Sequence, residues 1–96
     1  MYVGIQHTIN DAGKWEQGVQ SVMSKVEGGK LPAGMKPVVF IPATNQKVTI
    51  CVWEADSVDT VKKLIDLETG TAARNEYFEV DTKNAMGLPG VAVGNK

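Results

Sequence analysis

The chain is short of the residues from which most catalytic and metal centres are built. It has one histidine, His7, and one cysteine, Cys51. A lone cysteine forms no intrachain disulfide and cannot make a cysteine-rich zinc site. A buried core thiol is the expected state of Cys51. Neither sign of charge dominates: ten Lys and Arg are scattered among eleven Asp and Glu, for a net charge of −1. Nucleic-acid binders carry a clustered basic surface, so no nucleic-acid partner is expected. No apolar run approaches the roughly 20 residues of a membrane-spanning helix. Residues 1–7 lack the basic segment and apolar stretch of a signal peptide. No membrane association is expected, and a cytoplasmic location follows by default. Phosphate-loop chemistry is also missing. Gly87-Leu88-Pro89-Gly90 has no strand before it, no helix after it and no Gly-Lys-Ser/Thr ending.

What is present is a succession of patterns. The apolar fraction of 43% and charged fraction of 22% over 96 residues describe one domain with a modest core. Residues 2–9 alternate as a strand, with Val3, Ile5, His7 and Ile9 on one face. Asn10 and Asp11 offer N-cap chemistry to a helix over 11–26. Its stripe is Trp15, Val19, Val22, Met23 and Val26. Gly13 and Gly18 each weaken that helix by about 1 kcal/mol relative to Ala, and Gly28 and Gly29 end it. Pro32, Gly34 and Pro37 mark a loop over 30–37. Strands follow at 38–41 and 47–54, joined by a turn from Pro42 to Gln46. Asp56 or Ser57 caps a second helix with the stripe Val58, Val61, Leu64 and Ile65. Gly70 closes it, and a last strand covers 75–80. The ordered domain is placed at 1–82, with a C-terminal tail at 83–96.

The order β-α-β-β-α-β is that of the ferredoxin-like α+β fold, with an antiparallel sheet in the order 4-1-3-2. The crossover rule puts both helices on one face of it. Parity assigns Val3, Ile5, His7, Val48, Ile50, Val52, Phe78 and Val80 to the helix side. Gln6, Thr8, Thr49, Cys51, Trp53, Tyr77 and Glu79 are then left on the open side. That mixture is too apolar for water and too polar for a dry core. A second copy packed sheet to sheet would cover it and leave a small cavity. Gln6, Thr8, Thr49, Cys51 and Trp53 would line this cavity and hold a small, partly apolar molecule.

His7 is the one side chain whose unperturbed pKa lies near neutrality. It reads either as an acid/base group whose tautomer Glu76 fixes, or as a core-rim histidine bonded to Glu76 or a helix-end amide. Trp15 should cover the same end. Pairing with Glu76 would raise the imidazole pKa. Tyr77 and Glu79, two apart, read either as ligand donor and proton acceptor or as interface hydrogen-bond partners.

Three stretches carry a resemblance. They are Val3-Gly4-Ile5-Gln6-His7-Thr8-Ile9, Cys51-Val52-Trp53-Glu54-Ala55-Asp56-Ser57-Val58 and Asn75-Glu76-Tyr77-Phe78-Glu79-Val80-Asp81. Over most of residues 2–82 the chain resembles the dimeric α+β-barrel proteins, and within them a group of small bacterial proteins. The resemblance implies a homodimer with its sheets face to face. The wider superfamily includes cofactor-free monooxygenases, haem-degrading enzymes, isomerases, aldoxime dehydratases and metal-responsive binders. No catalytic set carries over, because no matching constellation is present. A haem ligand would have to be His7, and a histidine-built nickel site is disfavoured. Neither a cofactor nor a metal is therefore expected. Three functions remain open: a ligand-binding homodimer, a cofactor-free enzyme using His7, Tyr77 or Glu79, or an assembly subunit without ligand.

Overall fold

A computed structural model describes residues 1–89; residues 90–96, the end of the expected tail, lie outside the described residues. The elements are β1 (Tyr2–Ile9), α1 (Ala12–Glu27), β2 (Lys36–Pro42), β3 (Val48–Glu54), α2 (Val58–Thr69) and β4 (Ala73–Glu79). The sheet runs β2-β3-β1-β4 with every neighbour antiparallel. This is the expected order read from the other edge, and the fold is ferredoxin-like α+β.

Local chemistry sets the helix ends. Asp11 is extended and its carboxylate accepts the Lys14 amide at 3.0 Å. Ser57 does the same for the Thr60 amide at 3.1 Å. Gly70 ends α2 at φ +53°, where a Cβ would be strained, and its N–H reaches the Asp66 carbonyl. After β4, the Asn84 and Ala85 amides bond the Asp81 carbonyl. The Tyr2 hydroxyl donates to the Pro89 carbonyl, fastening this segment to β1.

The two helices meet at Gly18. A Cβ there would lie 2.8 Å from the Glu68 carbonyl oxygen. Along the same seam Ser21 donates to the Glu68 carboxylate, and Lys25 pairs with it at 3.1 Å. Gly18 is therefore a point of close approach, and the helix propensity it forfeits is the cost of that approach.

Pairing register corrects the face assignment. His7 lies opposite Thr49 and Asn75, one residue from the expected Val48 and Glu76. Directly opposed residues share a face. Val3, Ile5 and His7 do pack beneath the helices, as expected. Their companions, however, are Thr49, Cys51 and Trp53 from β3 and Ala73, Asn75 and Tyr77 from β4. Val48, Ile50, Val52 and Phe78 face outwards with Gln6 and Thr8. The inversion has a simple cause: both alternate sets of β3 are apolar, so alternation did not distinguish them. On β4 the apolar Phe78 misled for a different reason. Its ring covers Gly4 on the outer face, so closely that a Cβ on Gly4 would lie 2.2 Å from it.

β2 carries a register shift between Pro37 and Val39. Beyond it Phe40 pairs with Cys51 and Ile41 with Ile50. Phe40 is thereby on the helix side, and Val39 and Ile41 are on the outer side.

Candidate functional site

Both helices pack on the β1 and β4 side of the sheet, which leaves a cleft between α1 and the β2–β3 edge. Its inner lobe has Trp15, Val19 and Val22 of α1 above, His7 and Cys51 as floor, and Phe40 at the side. It is a narrow slot with about 60 Å³ of free space inside, open to solvent at one side. An outer lobe continues past Trp15, Val19 and Phe40 to Thr49, Pro42 and Gln46. The walls of the inner lobe are almost wholly apolar, whereas the outer lobe also carries Glu16, Gln46 and Thr49.

The inner floor is a chain of hydrogen bonds. His7 Nε2 lies 3.1 Å from Cys51 Sγ, and Nδ1 lies 2.6 Å from Asn75 Oδ1. The Asn75 amide nitrogen donates to Thr69 Oγ1 at 3.0 Å and to Asp66 Oδ1 at 3.2 Å. The Tyr77 hydroxyl donates to the same Asp66 oxygen at 2.6 Å. Lys62 pairs with Asp66 at 3.0 Å and lies over the Tyr77 ring. The Trp15 ring tilts against His7 with centroids 4.7 Å apart. Thr49, 1% exposed, has no partner for Oγ1 among the described residues.

Burial sets the protonation states. It lowers the His7 imidazole below its ordinary value, and the Asn75 bond only partly opposes this. The rise expected from a Glu76 partner is therefore reversed, because Glu76 is outward and bonds Arg74. Burial pushes the Cys51 thiol up to about 12. Burial and then the Asp66 carboxylate raise Tyr77. For Asp66, burial acts upwards, but the bonds from Tyr77, Lys62 and Asn75 together hold it below its ordinary value.

The expected site is thus redistributed. His7, Trp15, Thr49, Cys51 and Trp53 do gather, but under the helices rather than in a cavity between sheets. Gln6 and Thr8 are on the outer face and cannot join them. Tyr77 is on the helix side and bound to α2, so it does not pair with Glu79 across an open surface. Glu79 is exposed at the far end of β4, opposite Val3. Asn75, the partner of His7, and Thr69 and Asp66, which hold the Asn75 amide, did not stand out in the sequence. The available signal was the spacing of Asp66 and Thr69, one helical turn apart on α2, with a lone amide at position 75.

Among the described residues no cluster of three or more His, Cys, Asp or Glu could hold a metal, and no helix is long and apolar enough to cross a membrane. No family model and no curated protein matches the chain. Among solved structures it is similar to a Caulobacter crescentus CB15 protein described provisionally as an antibiotic biosynthesis monooxygenase. The identity is 16% and the TM-score 0.49, over 82% of this chain and 89% of that one. By its own topology the chain is a ferredoxin-like α+β protein.

Proposed function

We propose that this protein binds a small, mostly apolar molecule in the cleft beneath α1. The observation that carries this reading is an inner lobe with almost wholly apolar walls over His7 and Cys51, continuous with an outer lobe that holds the unpartnered hydroxyl of Thr49. Such sites bind by burying apolar surface and orient the ligand through a few fixed polar atoms. Val19 lines both lobes. Naphthalen-2-ol should quench Trp15 and Trp53 fluorescence saturably, and Val19→Trp should weaken its binding by tenfold or more, a loss of about 1.4 kcal/mol. Non-saturable quenching, or quenching indifferent to Val19→Trp, would refute the cleft as the site.

A second observation supports homodimerisation through the outer face of the sheet. Ile41 is 57% and Phe78 52% exposed, beside Val39, Ile50 and Val52. A solvated outer face would instead alternate to polar residues. A second copy of this chain, laid sheet to sheet, covers these side chains. Ile41→Arg would bury a charge on both sides of that interface. Sedimentation should show a dimer for the parent and a folded monomer for the variant. A monomeric parent would remove this reading.

A further inference from the structure

We propose that Cys51 is a reactive thiol that adds to apolar α,β-unsaturated carbonyl compounds, with His7 as its general base and Thr49 holding the carbonyl oxygen. This rests on the cleft reading above and goes beyond it to a substrate class.

The hydrogen-bond chain fixes a direction. The Asp66 carboxylate can only accept, so Asn75 must turn its amide nitrogen towards it. Thr69, whose hydroxyl donates to the Ile65 carbonyl, accepts the other amide hydrogen. Asn75 Oδ1 is therefore the atom facing His7, and Nδ1 must carry the proton. The Nε2 lone pair is left aimed at Cys51 Sγ. Nucleophile, base and orienting group thus stand in series, which is the arrangement that activates a thiol.

Thr49 is an independent observation. A buried hydroxyl without a partner costs about 1–3 kcal/mol unless a ligand meets it. Thr49 and Cys51 are two apart on one face of β3, so their side chains stand roughly 7 Å apart. Cys51 lines the inner lobe and Thr49 the outer, and the two lobes join at Trp15, Val19 and Phe40. An enone lying across that junction would bridge the span, its oxygen on the hydroxyl and its β-carbon at the sulfur.

The step balances without a co-reactant. The thiol proton passes to Nε2 as sulfur bonds the β-carbon. The alkene π pair shifts towards the α-carbon and carbonyl oxygen, where the Thr49 hydroxyl donates to the enolate. The proton on Nε2 then moves to the α-carbon. The product is the saturated thioether.

The polar and charged groups around His7 come from four elements. β3 supplies Cys51, and β4 supplies Asn75 and, through Asp66, the Tyr77 hydroxyl. α2 supplies Asp66 paired with Lys62, and α1 supplies only the Trp15 ring. An unassisted thiol raised to about 12 reacts tenfold faster with each pH unit across the neutral range. With His7 as base, the rate levels off once the imidazole is neutral, below the free value of about 6.5.

The test incubates the full chain with 4-phenylbut-3-en-2-one and follows adduct formation by mass spectrometry. One adduct at Cys51 is expected, at a rate flat from about pH 6.5 to 8.5. His7→Gln should slow it about 100-fold and restore the tenfold-per-unit slope. Thr49→Val, which removes a hydroxyl without changing shape, should stay folded. It should slow the reaction roughly 10- to 100-fold with the pH profile intact. A native rate that climbs throughout, or one indifferent to both substitutions, overturns the proposal. So does binding of the saturated analogue 4-phenylbutan-2-one with no adduct from the enone, which leaves the cleft reading standing. If neither ketone binds, this proposal falls, and the cleft reading stands or falls on naphthalen-2-ol.

Discussion

Acidification from about pH 7.5 to about pH 5 is expected to lower the unfolding free energy, by at most about 1.4 kcal/mol for each pH unit below about 6.5, and His7→Gln to flatten that slope. His7 is 1% exposed and its imidazole is lowered by burial. Its folded pKa thus lies below its unfolded one. The stability it contributes is complete above the unfolded value, about 6.5, and is lost as pH falls towards the folded value, at up to about 1.4 kcal/mol per unit. Three carboxylates with lowered pKa values, Asp66, Glu68 and Asp81, lose their contributions only at lower pH. The window between about 5 and 6.5 therefore isolates His7. Denaturant melts of both proteins across this range are the measurement, and an equal acid slope in each would exclude His7 as the cause. Cys51 shapes the alkaline side. Raised to about 12, it removes stability as pH climbs above the free-thiol value of about 8.5.

Gly18→Val should be the most damaging single change on the helix layer. The new Cβ would lie 2.8 Å from a backbone oxygen of α2, which cannot swing aside as a side-chain tip can. Moving the helices apart would also stretch the Ser21 and Lys25 bonds to Glu68. Overpacking of this kind costs about 2–3 kcal/mol. In a domain of this size that is a fall of roughly 10–20 °C in Tm. Gly18→Ala makes a sharper comparison, since Ala is favoured over Gly inside a helix by about 1 kcal/mol. It too should lower Tm, though less. A rise in Tm would show that the helices do not approach as closely as described.

The sequence was legible wherever one signal stood unopposed. Asp11 and Ser57 precede amphipathic stripes, and Gly70 follows one, so the helix limits and the strand order could be read. Burial of His7 beneath the helices also followed from parity, because Tyr2, Gly4, Gln6 and Thr8 make the other face of β1 plainly less apolar. On β3 the same reading failed. Val48, Ile50 and Val52 compete with Cys51 and Trp53, and only the pairing register decides between them. One neglected clue lay in Gly4. A glycine in a central strand needs a neighbour's side chain over it, and Phe78 is the aromatic residue placed to supply one. Putting Phe78 over Gly4 would have turned β4 the right way round and made Asn75 the partner of His7. The expected site kept five of its members and lost its location, because a shift of one residue exchanges the two faces of a strand.

The register shift in β2 has a consequence for how such a protein can diverge. Pro37 opposes Trp53 and Val39 opposes Val52, so Val38 is the residue left without a partner of its own. Removing Val38 would return β2 to regular pairing with every other side chain on its present face: Pro37, Phe40 and Pro42 towards the helices, Val39 and Ile41 outwards. Loss of one codon at this point would therefore spare both the cleft and the surface offered to a second copy. The same loss from the middle of β1 or β3 would exchange the two faces of the rest of the strand.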